Sequence, residues 1–537
     1  MTKDMIKSFF KENKLLLTLL GITCFLGFGF TVINQSIGID NTAYDVYFAA
    51  KGVIAHGRVT QLLLDMLFGA YRINPFWANG LGVIILYFSA IAWCLLFVRV
   101  GKEKLTKGAL IIFALVMVSY PMINEHFIFM PLNFALCYGL TAVSLLKIYD
   151  AFQIKKIGAY WLPCLLMVLV VSLNESFMPV FLCGVFFILI LEYMVKEKER
   201  TTFKTCITFF FVSVLVLGVA MGIEAIITKI LQKTMTFHAT GASNTISWFK
   251  YPVGYTVKTL VIGFIYRYVL AAYWYFPITL LLMSADIGIL LAIILSIKKK
   301  RPIILLLMLG LLLSVISLHL INGHIVPYRA NAAFAVFVAF ILMMVWMMLK
   351  KRWLNIVYGI LMVVLIVNQT RILNAWFVND YQRYEKDKEI AVTVAMTIEA
   401  EHDEKKPIVF VGETAMAPQT KKVSTNGLPI IGWSIRAFDN RATQFHNFLI
   451  YHGHDLVQAN ERQYADGRAL AANMPSYPKN GYIKELNDYI VVNFGDNYKW
   501  ILTPKEEKAQ AMFLDTLEKL TGLDRTYLEG QLATSIN

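Results

Sequence analysis

The sequence predicts an α-helical polytopic membrane protein of about eleven spanning helices followed by a small α/β domain. Three observations predict it. Mean hydropathy is +0.58, with 57% of residues hydrophobic and only 16% charged. That excludes a string of soluble domains, because so much apolar surface has to face lipid. Between residues 15 and 372, apolar runs of about 17 to 25 residues recur, each long enough to cross a hydrocarbon core of about 30 Å as a helix. Beyond Asn374 the runs shrink to strand length, and charged residues, Gly and Pro become frequent.

The expected spans are 15–33, 78–98, 109–124, 131–146, 157–174, 177–195, 205–228, 276–297, 302–320, 331–349 and 353–372. Lys3, Lys7, Lys11 and Lys14 precede the first. Its apolar run is too long for a signal-peptide core and has no small-residue cleavage site, so it reads as a retained helix. Short basic connections occur at Arg99/Lys102/Lys104/Lys107, Lys147/Lys155/Lys156, Lys196/Lys198/Arg200/Lys204, Lys298/Lys299/Lys300/Arg301 and Lys350/Lys351/Arg352. All fall on the side of the N-terminal lysines, which the positive-inside rule makes the cytoplasm. Residues 1–14 are then cytoplasmic, 15–372 form the membrane domain, and 373–537 form an extracytoplasmic α/β domain. The expected location is the bacterial cytoplasmic membrane. A net charge of +14 is largely this orientation signal and implies no nucleic-acid partner. The six cysteines lie in or beside expected spans, which argues against a disulfide framework, and no Cys/His pair has zinc-ligand spacing.

Unusual residues collect in the outer connections. In the first, Thr42 and Asp45 have the form of a capping box, and Tyr44, Tyr47, Phe48, Val53 and Ile54 recur at helical spacing. After Gly57 the spacing resumes with Val59, Leu62, Leu63, Met66 and Leu67, so 42–70 reads as a pair of interfacial helices. Asp40 stands just before them at the water–lipid boundary. Five residues from Asp45, it would lie about 140° away on a helix, so the two do not form a carboxylate pair. A carboxylate there is placed to take a proton from a hydroxyl, and its ordinary alternative is a turn or cap residue. Arg58 has an ordinary alternative too, snorkelling to headgroups.

Glu125 with His126, and Asn174 with Glu175, end two spans on the outer side. A carboxylate at membrane depth faces a polar cavity by default, against the alternative that each caps a turn in the water layer. Glu224 and Asp286 lie deeper, as polar contacts between helices. His319, His324, Tyr328 and Arg329 gather between the ninth and tenth spans, and Arg267 ends the other long outer connection. The planar arginine fork suits phosphate oxygens, and histidine donates or titrates. His319, alone on an apolar helix, reads as a satisfied core residue. Trp77, Trp248, Tyr251, Tyr273, Trp274 and Tyr275 line either a chamber or, more commonly, an interfacial belt. The sequence has no Gly-rich phosphate loop, Walker lysine, nucleophile elbow or metalloprotease helix.

Four segments carry a resemblance: Ile39-Asp40-Asn41, Gly57-Arg58, Asn379-Asp380-Tyr381-Gln382-Arg383-Tyr384-Glu385-Lys386-Asp387 and Gly432-Trp433-Ser434-Ile435-Arg436-Ala437-Phe438-Asp439. Together with the layout, they resemble the bacterial Gtr-type glucosyltransferases, type II group, of the GT-C superfamily. The resemblance implies a GT-C-like membrane domain, a polyprenyl-phosphate hexose donor and reaction on the extracytoplasmic face. It further implies that Asp40 is the general base for an inverting transfer, with Arg58, Arg267 and Arg329 holding the leaving lipid phosphate. Asp45, Glu125, His126, Asn174, Glu175, His324 and Tyr328 are secondary candidates for the chamber. Asn41 stands where some relatives carry a second acid, which weakens the case for a metal-binding acidic pair, so a divalent metal is open but not indicated. The expected partners are the lipid-linked donor, an envelope glycan acceptor and the bilayer. A transporter or flippase of lipid-linked sugars, an envelope polymerase or ligase, and a non-catalytic assembly protein are the rivals. Transporters commonly show internal repeats and midplane sites; no repeat is visible here. In the tail, strands are expected over 407–412 and 489–494 and helices over 384–401 and 505–520.

Overall fold

The computed structural model of the protein describes residues 3–34, 36–37, 53–54, 56–68, 75–195, 203–234, 246–270, 276–326, 328–413, 442–496 and scattered positions between 511 and 525. It forms two compact units, Met1–Asn34 with Ala50–Phe377 and Gln35–Ala49 with Val378–Asn537.

The first unit is helical: α1 (Lys3–Glu12), α2 (Lys14–Ile33), α3 (Val59–Phe68), α4 (Pro75–Gly101), α5 (Lys107–Ser119), α6 (Ile123–Phe129), α7 (Pro131–Ile154), α8 (Trp161–Leu173), α9 (Met178–Val195), α10 (Phe203–Thr234), α11 (Val253–Phe264), α12 (Phe276–Lys299), α13 (Ile303–Val315), α14 (Ser317–Asn322), α15 (Ala333–Met348) and the first part of α16 (Arg352–Glu401). Among the described residues, 7 helices are long and apolar enough to cross a membrane, namely α2, α4, α7, α9, α10, α12 and α16; α5, α8, α13 and α15 are shorter apolar helices. The chain is a helical membrane protein. Phe211, Leu215 and Ile226 on α10 and Ile360, Val364 and Val367 on α16 are exposed, as apolar faces are when lipid covers them. By contrast α15 is buried on every side from Ala333 to Met344, the mark of an inner helix.

Two expected spans are interrupted. The run 109–124 breaks after Ser119, where Tyr120 adopts an extended ψ of 119° because the following Pro121 disfavours a helical predecessor. The chain resumes as α6, and Pro131 opens α7 at a position where its missing N–H costs nothing. The run 302–320 breaks at Ile316 into α13 and α14, and Gly323 ends α14 at φ +70. After α11 the backbone widens into a π-helical turn, Ile265–Leu270.

Helix α16 has 50 residues and therefore extends about 75 Å, more than twice the hydrocarbon thickness. The last expected span and the helix expected over 384–401 are thus one continuous element. Beyond Phe377 it buries Ala391, Val394, Ala395 and Ile398 in the core of the second unit. That core covers one face of a sheet ordered β1-β3-β2, with β1 (Ile408–Glu413) parallel to β3 (Ile490–Asp496) and β2 (Ile483–Glu485) antiparallel to it. Alternation does the sorting. Ile408, Phe410, Ile490 and Val492 face α16 and α17 (Ala442–Tyr451), while Val409, Val411 and Val491 face a second cluster with Ala471 of α18 (Glu461–Ala471). Ile37, from the segment that follows α2, also belongs to the first of these cores.

Candidate functional site

Breaking the helix at Pro121 lets α6 carry three polar residues in a row into the protein. Asn124, Glu125 and His126 are all buried. Among the described residues, neither Asn124 side-chain polar atom nor His126 Nδ1 has a hydrogen-bond partner, and the Glu125 carboxyl, with no side-chain partner, lies against the Arg329 backbone N–H. Buried polar groups left open in this way are uncommon and ask for a reason. His126 Nε2–H donates to the Arg329 carbonyl at 3.0 Å, which leaves Nδ1 holding its lone pair. The ring stacks on Phe134 at 4.1 Å. Burial holds this imidazole down at about 3, so it stays neutral. Burial likewise pushes the Glu125 carboxyl up to about 7, against the opposing charges of Arg329 and Arg267.

Both arginines come from interrupted backbone. Arg267 sits on the π-helical turn, a feature frequent at functional positions. Its Nη1 donates to the Val326 carbonyl at 3.0 Å, its guanidinium lies 5.3 Å from the Tyr328 ring centre, and Tyr328 Oη donates back to the Arg267 carbonyl at 2.9 Å. Arg329 lies in the turn Tyr328–Ala330. Behind them, the Val326 N–H donates to His319 Nδ1 at 3.0 Å, so Nε2 carries the proton to Tyr268 Oη, 2.7 Å away. His319 is therefore a satisfied core residue. His324 shares Nδ1–H between Ser247 Oγ at 3.1 Å and the Asn322 carbonyl at 3.2 Å; burial lowers its pKa.

A second cluster is built around Arg58. Gly57 turns the chain at φ +75, and a side chain there would collide with the Glu224 carboxyl. Arg58 then donates Nε to Glu175 Oε2 at 3.1 Å and Nη2 to Oε1 at 2.8 Å, a bidentate pair. The hydroxyls of Thr60 and Ser172 also bond, fastening α3 to α8. Asn174 caps the turn Glu175–Phe177 by accepting from Ser176 N at 3.0 Å, which is the ordinary role open to it in the sequence. Glu224 accepts from Thr228 on its own helix. Phe177 packs on Phe134 at 5.5 Å and Tyr138 at 4.8 Å, so an aromatic wall stands between this cluster and His126.

Of the candidates read from sequence, Glu125, His126, Arg267, Tyr328 and Arg329 meet in one cluster with His324 beside it. Arg58, Asn174 and Glu175 meet in the other. Asp40 and Asp45 lie outside the described residues, as do Tyr273, Trp274, Tyr275 and the segment 432–439. Sequence reasoning missed Asn124 and Tyr268. Asn124 had a signal, three consecutive polar residues just after a proline in an otherwise apolar run.

A family model for glucosyl transferase GtrII matches residues 29–346. The chain belongs to the GtrII glucosyl transferase family. Both clusters of this GtrII chain, and Asp40, fall inside the matched residues, whereas 379–387 and 432–439 lie beyond them. No curated protein matches the chain. Family membership makes the protein a glycosyltransferase. No group of side chains suited to hold a metal ion occurs among the described residues.

Proposed function

We propose that the protein transfers glucose, or a related hexose, from a polyprenyl-phosphate donor to an envelope glycan on the extracytoplasmic face, with inversion. The observation that supports this most is the meeting of Arg267, Tyr328 and Arg329 with the buried Glu125-His126 pair in one cluster. In this reading the acceptor hydroxyl gives its proton to Asp40 and attacks the anomeric carbon. The bond from that carbon to the phosphate oxygen breaks, and its electron pair leaves with the lipid phosphate. Arg267 and Arg329 stabilise the charge that develops there, Arg267 being oriented by Tyr328 and the Val326 carbonyl. Glu125 tunes the pair: neutral below pH of about 7, it leaves the guanidinium groups to the phosphate, and ionised above it, it competes for them. Arg58, bound in both arms by Glu175, holds α3 instead of touching phosphate. Asp40 is assigned as base on the sequence alone, and the extracytoplasmic face on the basic connections.

The test is purified protein in vesicles given polyprenyl-phosphate glucose and acceptor glycan. Polyprenyl phosphate should be released in step with sugar transfer, and Asp40→Asn should abolish both without loss of folded protein. Transfer that survives the substitution removes Asp40 from the base role. Interrupted helices at Pro121 and Ile316 also suit a transporter, and protein that moves the donor across the bilayer without releasing polyprenyl phosphate would favour that reading.

A further inference from the structure

A groove on the helical unit is cationic at one end and apolar along the rest. It holds about 460 Å³ and runs between Trp346 of α15 and one face of α16, where Arg352, Asn355, Gly359 and Val363 line it. Ile356, Ile360 and Val364 continue the same stripe at helical spacing, and each is more than half exposed. The groove lies apart from the Glu125 cluster. Trp346 is about 20 Å along α15 from Ala333, which closely follows the Tyr328–Ala330 turn.

Its wall is fixed. The Trp346 indole N–H donates to Thr106 Oγ1 at 2.9 Å, and the ring fills the space that a side chain at Gly108 would need. Gly359 keeps the opposite flank open, and a Cβ there would stand 3.6 Å from the ring. Thr106 immediately precedes Lys107, so α5 begins with another cation beside this end. Among the described residues, Lys350, Lys351 and Arg352 have no carboxylate partner. One turn below Arg352, Asn355 Oδ1 is buried and also without a partner among the described residues. An amide not fixed by its oxygen can turn to present its N–H groups.

From Arg352 to Val364 the stripe rises about 18 Å, close to the ~15 Å that one leaflet contributes to a hydrocarbon core of about 30 Å. Cation, indole and amide, then apolar wall, follow the order of phosphate, ester and acyl chain in a phospholipid. Basic recesses between membrane helices suit anionic head groups for the same reason.

We propose that this groove binds an anionic phospholipid of the surrounding bilayer. The phosphate meets Arg352 with Lys350 and Lys351 beside it, Asn355 donates to the phosphate or an ester carbonyl, and one acyl chain lies along Ile356, Ile360 and Val364 against Trp346. The lipid joins α15 to α16 and takes no part in sugar transfer.

The test uses the full chain in detergent micelles doped with phosphatidylglycerol or phosphatidylcholine, with bound lipid counted by native mass spectrometry. One phosphatidylglycerol should be held about fivefold or more tighter than phosphatidylcholine, and Arg352→Gln should weaken it about fivefold, the share of one cation at a charged surface. Gly359→Leu, which fills the groove and keeps every charge, should abolish the preference. Lys156→Gln, on another basic connection, should leave it unchanged, which separates a site from general attraction. Equal retention of both lipids by the native protein, or native retention in both groove variants, overturns the proposal. So does preferential displacement by polyprenyl phosphate, which would make the groove a seat for the donor's lipid. A Gly359→Leu protein that keeps the phospholipid and passes from dimer to monomer overturns it too, giving this face to a second copy of the chain.

Discussion

The two units bury carboxylates beside arginine under opposite rules. In the second unit, both oxygens of Asp380 are taken, one by Arg383 and one by Ser36, and all three nitrogens of the Arg383 guanidinium donate. In the first unit, Glu125 is also buried and feels two arginine charges, yet it takes no side-chain partner and has only the Arg329 backbone N–H beside it, and the side-chain polar atoms of its neighbour Asn124 have no partner among the described residues. A network in which every member is bonded fixes backbone; one with open valences at low dielectric is ready to exchange partners. The difference separates a closed network from one with open polar atoms more sharply than residue type does, because both set carboxylates beside arginine.

The contrast is most exposed to breakage at Arg383. Arg383→Ala leaves two buried carboxylates without compensation and should destabilise the second unit by about 3–5 kcal/mol, seen as loss of protease resistance in 378–537 while the helical unit survives. A change below 1 kcal/mol would show that the triad is not a satisfied structural network. Arg267→Lys should leave stability nearly unchanged and raise the donor KM about tenfold, since a point charge replaces a fork. An unaltered KM would move the phosphate elsewhere. Glu125 gives a pH signature. Its carboxyl, raised to about 7, is neutral below that value and charged above it. The donor KM should therefore rise several-fold, roughly, from pH 6 to pH 8 in the native protein and stay flat in Glu125→Gln; equal slopes in both would remove Glu125 from the site. Smallest is Arg58→Lys. The pair with Glu175 is partly exposed, at 18% and 39%, so the loss should stay below about 1 kcal/mol with the donor KM unchanged, and a large KM effect would return Arg58 to the phosphate.

Local patterning in the sequence located much of the fold. The strands expected over 407–412 and 489–494 appear as Ile408–Glu413 and Ile490–Asp496, because short β-branched runs bounded by turns have few other outcomes. The end of the last span did not come through. Hydropathy changes near Asn374, but helix propensity does not, so α16 runs on to Glu401. Pro121 was in plain view and its effect on Tyr120 was predictable, yet the apolar run around it outweighed the proline. Strand β2, only Ile483–Glu485, is too short to carry a period. The pairing of Arg383 with Ile37 and that of Arg58 with Glu175 join distant parts of the chain, and no local pattern encodes such contacts. His319 was legible for the opposite reason: a lone polar residue on an apolar helix has to find partners inside.

The claim on which the rest depends is that the donor phosphate sits with Arg267 and Arg329 beside Glu125. A polyprenyl-phosphate glucose carrying a photoreactive group next to the phosphate, followed by peptide mapping, tests it directly. The expected result is labelling within 119–135, 264–270 or 326–333, suppressed by unlabelled donor and shifted to about tenfold higher donor concentration in Arg267→Lys. Suppressible labelling confined to residues 378–537, or unaffected by that substitution, would contradict it.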